Sequence, residues 1–343
     1  MAVTVLSKKQ KLGILKQTDF ATPQAAGAAF KTIYCDIPIN FDPDISIDQR
    51  NQTSANGVHF ETERRKVDAV SGFPSISATG SVDKATFAAL LYAAIFSVTE
   101  DATTPYNKLY NCTGLSGTLD FNGDAGPLFT LGYDRKGSAD DGVLLKTAIL
   151  DTFGISLDIN QRGQSRDLKF NAKFVGGSYA DEQTLNGTWT NTSGITSIAP
   201  DSNWTNQTFT VDSVDYSGQC MLNWSLNINN RVSKINATSG SACQFFIMPE
   251  YTSRILILRN DTTEKISGDL ADNATVAQTF GNDALAAYTD GKFTFAAAHG
   301  VLISHADTTY NDYAALELNI RWESASAATP FSINWCDTID WGY

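Results

Sequence analysis

The stretch Ser156-Leu157-Asp158-Ile159-Asn160-Gln161-Arg162 alternates apolar and polar residues and then runs into an arginine. Period-two alternation places Leu157 and Ile159 on one face of an extended chain and Ser156, Asp158 and Asn160 on the other, the pattern of a half-buried strand. The pattern returns as Ser225-Leu226-Asn227-Ile228-Asn229-Asn230-Arg231, and Ile45-Ser46-Ile47-Asp48-Gln49-Arg50 is a looser relative. A second extended stretch follows each of the two close copies. Leu168, Phe170, Ala172 and Phe174 alternate with Lys169, Asn171 and Lys173 after the first, and Arg254-Ile255-Leu256-Ile257-Leu258 follows the second. A reused hairpin points to a duplicated β-rich architecture.

Working outward, Phe60 to Gly80 reads as another extended stretch, joined to the Ile45 strand by turn chemistry at Asn56-Gly57. The period then switches. Asp83 to Val98 is rich in Ala and Leu, with Phe87, Leu91, Ala94, Ile95 and Val98 on one helical face and Asp83 placed to cap the first turn. A second, weaker helix is expected over Ala274 to Tyr288, interrupted by Gly281. Residues 99–145 and 180–210 carry turn signals and read as loops, and Gly176-Gly177 reads as a strand-end turn. Leu316, Leu318 and Ile320 alternate with Glu317, Asn319 and Arg321, and the aromatic end, with Trp335, Trp341 and Tyr343, is expected to dock rather than fray. The expected fold is therefore mainly β with one or two flanking helices (α+β). Its divisions are an arm over 1–30, a β-rich unit over 31–210 and a second over 211–343.

The chain has 343 residues, 42% hydrophobic and 18% charged, with a net charge of −12. That composition suits a packed core and excludes coiled coils, collagen and bulk disorder. The acidic balance repels a phosphate backbone, so gripping nucleic acid is not expected, and Arg64-Arg65-Lys66 sits beside Glu61 and Glu63 as a solvated or subunit-bridging strand. Five cysteines, Cys35, Cys112, Cys220, Cys243 and Cys336, lack metal or redox spacing and read as reduced structural thiols. The beginning, MAVTVLSKKQKLGILK, has no apolar run of signal-peptide length, and no window is long enough to span a bilayer. Neither secretion through a signal peptide nor membrane insertion is expected.

Chemistry-bearing patterns are sparse. The histidines, His59, His299 and His305, do not accompany a nucleophile motif, and no phosphate-cradling GxxxxGK[ST] occurs. Asp140-Asp141 is an acidic pair in a loop without acid–base geometry. No enzymatic activity, metal or cofactor is expected.

The order of elements resembles the major tail tube proteins of long-tailed bacteriophages. LKQTDFATPQAAGAAFKTIYCDI is similar to that family's arm and first strand, SGFPSISATGSVDKATFAALLYAAI to its strand-to-helix passage, and GKFTF and LNIRWESA to its closing strands. The resemblance implies a β-sandwich subunit whose inner strands form a continuous β-barrel in stacked rings. The rings would hold six copies, or three if the fold is duplicated. It also implies a place in the virion tail, assembly in the host cytoplasm, contacts with tube-end proteins and a tape measure protein, and DNA that passes without specific binding. By parity alone, the channel-lining residues would be Asp44, Ser46, Asp48, Ser156, Asp158, Asn160, Ser225, Asn227, Asn229, Glu317, Asn319 and Arg321. Two other readings share the composition: a capsid-decorating or tail-end adaptor protein, and a carbohydrate-binding β-sandwich using Trp189 and Trp204 as stacking platforms.

Overall fold

In a computed structural model of the protein, the residues described are 10–18, 22–44, 46–49, 65–68, 73–100, 106–112, 117–119, 128–135, 141–159, 168–185, 189, 204–235, 244–264, 266, 274–282, 292–323 and 329–337. The chain opens with β1 (Lys11–Lys16), β2 (Lys31–Ile33), β3 (Asn40–Asp42), β4 (Ser46–Gln49), β5 (Arg65–Asp68) and β6 (Ser75–Ser81). The helix α1 (Lys84–Ile95) follows, then β7 (Val98–Glu100), β8 (Tyr106–Asn111), β9 (Gly117–Leu119), β10 (Phe129–Asp134), β11 (Gly142–Asp158) and β12 (Lys169–Gln183). Next come β13 (Thr205–Val211), β14 (Val214–Asp215), β15 (Met221–Asn229), β16 (Ser233–Ile235), β17 (Gln244–Ile247) and β18 (Glu250–Leu258). The last strands are β19 (Thr275–Gly281), β20 (Lys292–Tyr310), β21 (Tyr313–Trp322) and β22 (Ser332–Asp337). The fold is mainly β and antiparallel, with a single helix among the described residues.

Register links eight strands in the order β3-β6-β12-β11-β15-β18-β21-β20. The two copies of the repeated motif lie side by side in it, with Ser156 directly opposite Ser225 and Leu226 opposite Ile155. One face of this sheet is apolar: Phe170, Ile155, Leu226 and Ile320 are buried along one row, and Leu157, Trp224, Ile255 and Leu318 along another. A second layer covers that face. It runs β13-β19-β20-β22-β8-β7; β2-β1-β10 attaches separately, along the first half of β11. The long strand β20 serves both layers, and register shifts at Leu150/Thr152 in β11 and Leu302/Ser304 in β20 mark bulges that bend these strands.

Aromatic rings fill the space between the layers. Trp224 sits 4.8 Å from Phe280 and 5.4 Å from Phe295, and Phe87 meets Trp335 edge-on at 5.0 Å. The aromatic closing segment therefore docks as strand β22, with Trp335 fully buried; Trp341 and Tyr343 lie outside the described residues. Helix α1 is apolar nearly all round, so it is buried rather than amphipathic. Its cap is Asp83, whose Oδ1 accepts the Thr86 N–H at 3.3 Å.

Several expectations change. Residues 275–281 form strand β19, not the start of a second helix, because Val276, Gln278 and Phe280 alternate into the core while pairing with both β13 and β20. Gly281 is needed there for packing: a Cβ at this position would fall inside van der Waals contact of the Phe293 carbonyl oxygen. Gly281→Ala should destabilise the protein by about 1–3 kcal/mol; a thermal midpoint equal to wild type would show that the β19–β20 pairing is looser than described. The span 99–145 is not simply loop, since β8 and β10 carry the buried Tyr110, Leu131 and Tyr133. Within 180–210, β12 ends and β13 begins. Gly176 lies inside β12 beneath Leu145, not at a strand end. In the 1–30 segment, β1 is built into the sheet between β2 and β10. The main sheet draws strands from both sides of residue 210, and β13 straddles that position.

Candidate functional site

The face of the eight-strand sheet opposite the core is open and polar. Register aligns Ser81, Lys169, Ser156, Ser225, Arg254, Asn319 and Ser304 in one row across it. The neighbouring row contains Thr79, Asn171, Asn227, Thr252 and Arg321. Each of these residues is exposed or half-exposed, while the residues between them on the same strands are buried. Alternation produces this: each strand turns its branched and aromatic residues inward, so its Ser, Asn and charged residues must face out.

Of the residues read from sequence as channel-lining, Ser156, Asp158, Ser225, Asn227, Asn229, Glu317, Asn319 and Arg321 all stand on this one face. Asn160 lies outside the described residues. Ser46 and Asp48 belong to the separate β4–β5 ribbon, pairing with Asp68 and Lys66, and their side chains lie outside what is described. Asp44 is in no strand. It has a positive φ of 47°, and its Oδ2 accepts the Phe73 N–H at 2.7 Å, so it shapes the entry to that ribbon. Sequence reading missed Lys169, Asn171, Thr252 and Arg254 as members of the same face. The alternation of 168–174 was visible, but its position beside β11 was not.

The face is not acidic. Its described charges are Lys169, Lys173, Arg254 and Arg321 against Asp158, Glu250 and Glu317. Among the described residues, exposed acidic side chains lie instead on turns and strand ends, including Asp181, Glu182, Asp212, Asp215 and Asp312. Arg254 donates to Glu317 at 2.5 Å, and this bond holds the Glu317 carboxyl below its ordinary range. Asn319 also donates to Glu317, at 3.3 Å. A surface of paired charges and neutral amides presents no net field to a polyanion.

At one end of the face, the Tyr310 hydroxyl donates to Asp158. A small apolar cluster of Leu222, Leu256 and Ala315 packs there with Tyr310. Desolvation and then the bond to Asp158 push the Tyr310 phenol up to about 12. A phenol raised in the folded state contributes stability below its free value near 10 and loses it as pH climbs toward 12. In a spectrophotometric tyrosine titration, Asp158→Asn should bring one late-titrating phenol to lower pH; an unchanged titration curve would show that the bond does not hold Tyr310.

The tryptophans proposed as sugar platforms are otherwise engaged. Trp204 is buried and stacks on Phe280 at 5.6 Å, and Trp189 packs against Phe30 at 5.7 Å. His299 and His305 are both exposed on β20. Cys35, Cys112, Cys220 and Cys336 are thiols outside any disulfide, and burial pushes Cys35 up to about 12. No three His, Cys, Asp or Glu side chains converge among the described residues, and no helix there is long and apolar enough to cross a membrane. No known protein family and no characterised protein shows detectable sequence similarity to this chain.

Proposed function

We propose that this chain is a structural subunit that polymerises as stacked rings into a phage-type tail tube, with the open polar face lining a conduit for DNA. The observation that carries the reading is the eight-strand sheet with one face sealed in the core and the other polar, near charge balance and continuous across the subunit. A conduit needs such a surface, because net positive charge would bind DNA by counterion release and stall it.

The sheet also ends in a way that invites closure by copies of itself. Beyond Leu302, whose N–H still donates to the Ala274 carbonyl at 2.9 Å, β20 pairs only with β21 among the described residues, leaving its other edge without a strand through Tyr310. That edge reads Ile303-Ser304-His305-Ala306-Asp307-Thr308-Thr309-Tyr310 and has none of the lysines or prolines that commonly blunt an edge. At about 4.8 Å per strand, three copies of the eight-strand arc would close a ring on the order of 37 Å across, backbone to backbone. Side chains narrow that to a channel still passing a duplex about 20 Å wide. Six copies would leave a channel about twice as wide. The arc therefore favours three copies per ring.

The test is negative-stain electron microscopy of the purified protein, with analytical ultracentrifugation to size the smallest ring. Hollow tubes with a regular axial repeat, built from trimeric rings, are the expected result. Protein that remains monomeric, alone and when seeded with tail-tip complexes, would overturn the reading.

A further inference from the structure

The two ends of the β21 strand carry exposed surfaces that cannot meet within one copy. At one end is the tip of the β20–β21 hairpin. Asn311 and Asp312, with φ of 46° and 68°, make the tight two-residue turn that matches strand twist. Residues 303–307 and 311–314 are exposed on both faces, including Ile303 and Tyr313 at 52% and 46%. The hairpin is nonetheless anchored by the Arg259–Asp307 ion pair at 3.0 Å and, beside the turn, by the Tyr310–Asp158 bond. A rigid, anchored, doubly exposed hairpin loses little entropy on docking.

At the other end of the same strand is a cleft of about 390 Å³, walled by Pro249 and Pro330 and rimmed by Arg231, Glu250, Arg321 and Glu323. Arg231 pairs with Glu250 and Arg321 with Glu323. Both arginines remain about half exposed, and each guanidinium has further N–H groups beyond those its glutamate takes.

We propose that residues 311–313 of one copy insert into the Arg231/Arg321 cleft of a second copy stacked along the strand direction. Asp312 supplies a carboxylate for the spare guanidinium donors, and the Tyr313 ring lies against the prolines. The contact is heterologous, so it propagates without closing and builds a column rather than a dimer. At about 3.3 Å per residue the repeat is set by the span from Asp312 to Glu323, on the order of 35 Å. This inference rests on the tube reading for its placement between rings.

Two experiments separate the proposal from that reading. In a Cys220→Ser background, chains carrying Asp312→Cys are mixed with chains carrying Arg231→Cys and oxidised. Disulfide-linked pairs of the two variants, absent when either is oxidised alone with wild type, are expected. Rings that form without any such crosslink would overturn the proposal and leave the ring reading standing. Crosslinks without rings would do the reverse. In the second experiment, Asp312→Arg and Arg231→Glu should each cut tube mass at least ~10-fold while leaving single rings, as loss of a charge-paired interface contact predicts. Mixing rings of the two variants should restore growth, because the unaltered Asp312 tip of one meets the unaltered cleft of the other and the arginine-bearing tip meets the glutamate-bearing cleft. Full-length tubes from either variant would refute the contact, with circular dichroism confirming that each variant is folded.

Discussion

Replacing Trp224 with alanine is expected to lower stability by about 3–5 kcal/mol. Trp224 is fully buried, packs within 4.8–6.0 Å of Phe280, Phe295 and Phe293, and donates its indole N–H to Gln278 Oε1 at 3.2 Å. Truncation removes those ring contacts and opens a cavity between the two layers. It also strips Gln278, itself buried, of one partner while leaving its bond to Asn206 at 2.9 Å. Against a typical total of about 5–15 kcal/mol, that is a large share. Trp224→Phe keeps most of the burial and loses the hydrogen bond, so it should cost less, about 1–3 kcal/mol. Thermal unfolding followed by circular dichroism provides the check. If Trp224→Ala melts no earlier than Val214→Ala, an exposed control on β14, then β15 does not pack on β19 and β20 as described.

Placing lysine at Ser156, Ser225 and Asn227 together should leave rings and tubes intact and slow DNA passage by at least ~10-fold at low salt. The three positions are exposed or half-exposed on the polar face, and Ser156 and Ser225 are directly opposite each other, so the cations cluster in every copy. Each ring then offers a band of unpaired positive charge, and a polyanion moving past it exchanges counterions for lysines. The slowing must fade as salt rises, which separates it from a steric block. Asp158 is a poorer choice for this test because it accepts the Tyr310 hydroxyl. The measurement is DNA release from particles assembled with the variant, beside particles carrying Val214→Lys on β14, away from this face. Equal release rates at every salt concentration would mean that the polar face does not line the channel.

The parts of this protein that could be read in the amino-acid order are those set by local periodicity. Leu157, Leu226, Ile228, Leu318 and Ile320 were assigned inward by alternation alone, and all are buried. Asp83 was identified as a helix cap because capping needs only the next turn of chain. The β19 strand was misread because its short segment, with Ala, Gln and Gly, has weak local preference. Pairing with β13 and β20 decided its conformation, and neither partner is near it in sequence. Strand propensity is mostly a statement about neighbours, so it fails where the neighbours are distant.

The candidate face divides along the same line. Sequence alone determined which residues of each strand are polar and that they share a side, because successive side chains in an extended chain point in opposite directions. It also determined the acidic balance and the sparseness of catalytic motifs. Only the tertiary structure decided that Ser156 stands opposite Ser225, that Lys169 and Arg254 join them, and that Asp44, Ser46 and Asp48 do not. It likewise placed the hairpin tip and the arginine cleft at opposite ends of one strand. Register between strands is fixed by side chains meeting across the core, a long-range condition that no single stretch of the chain contains.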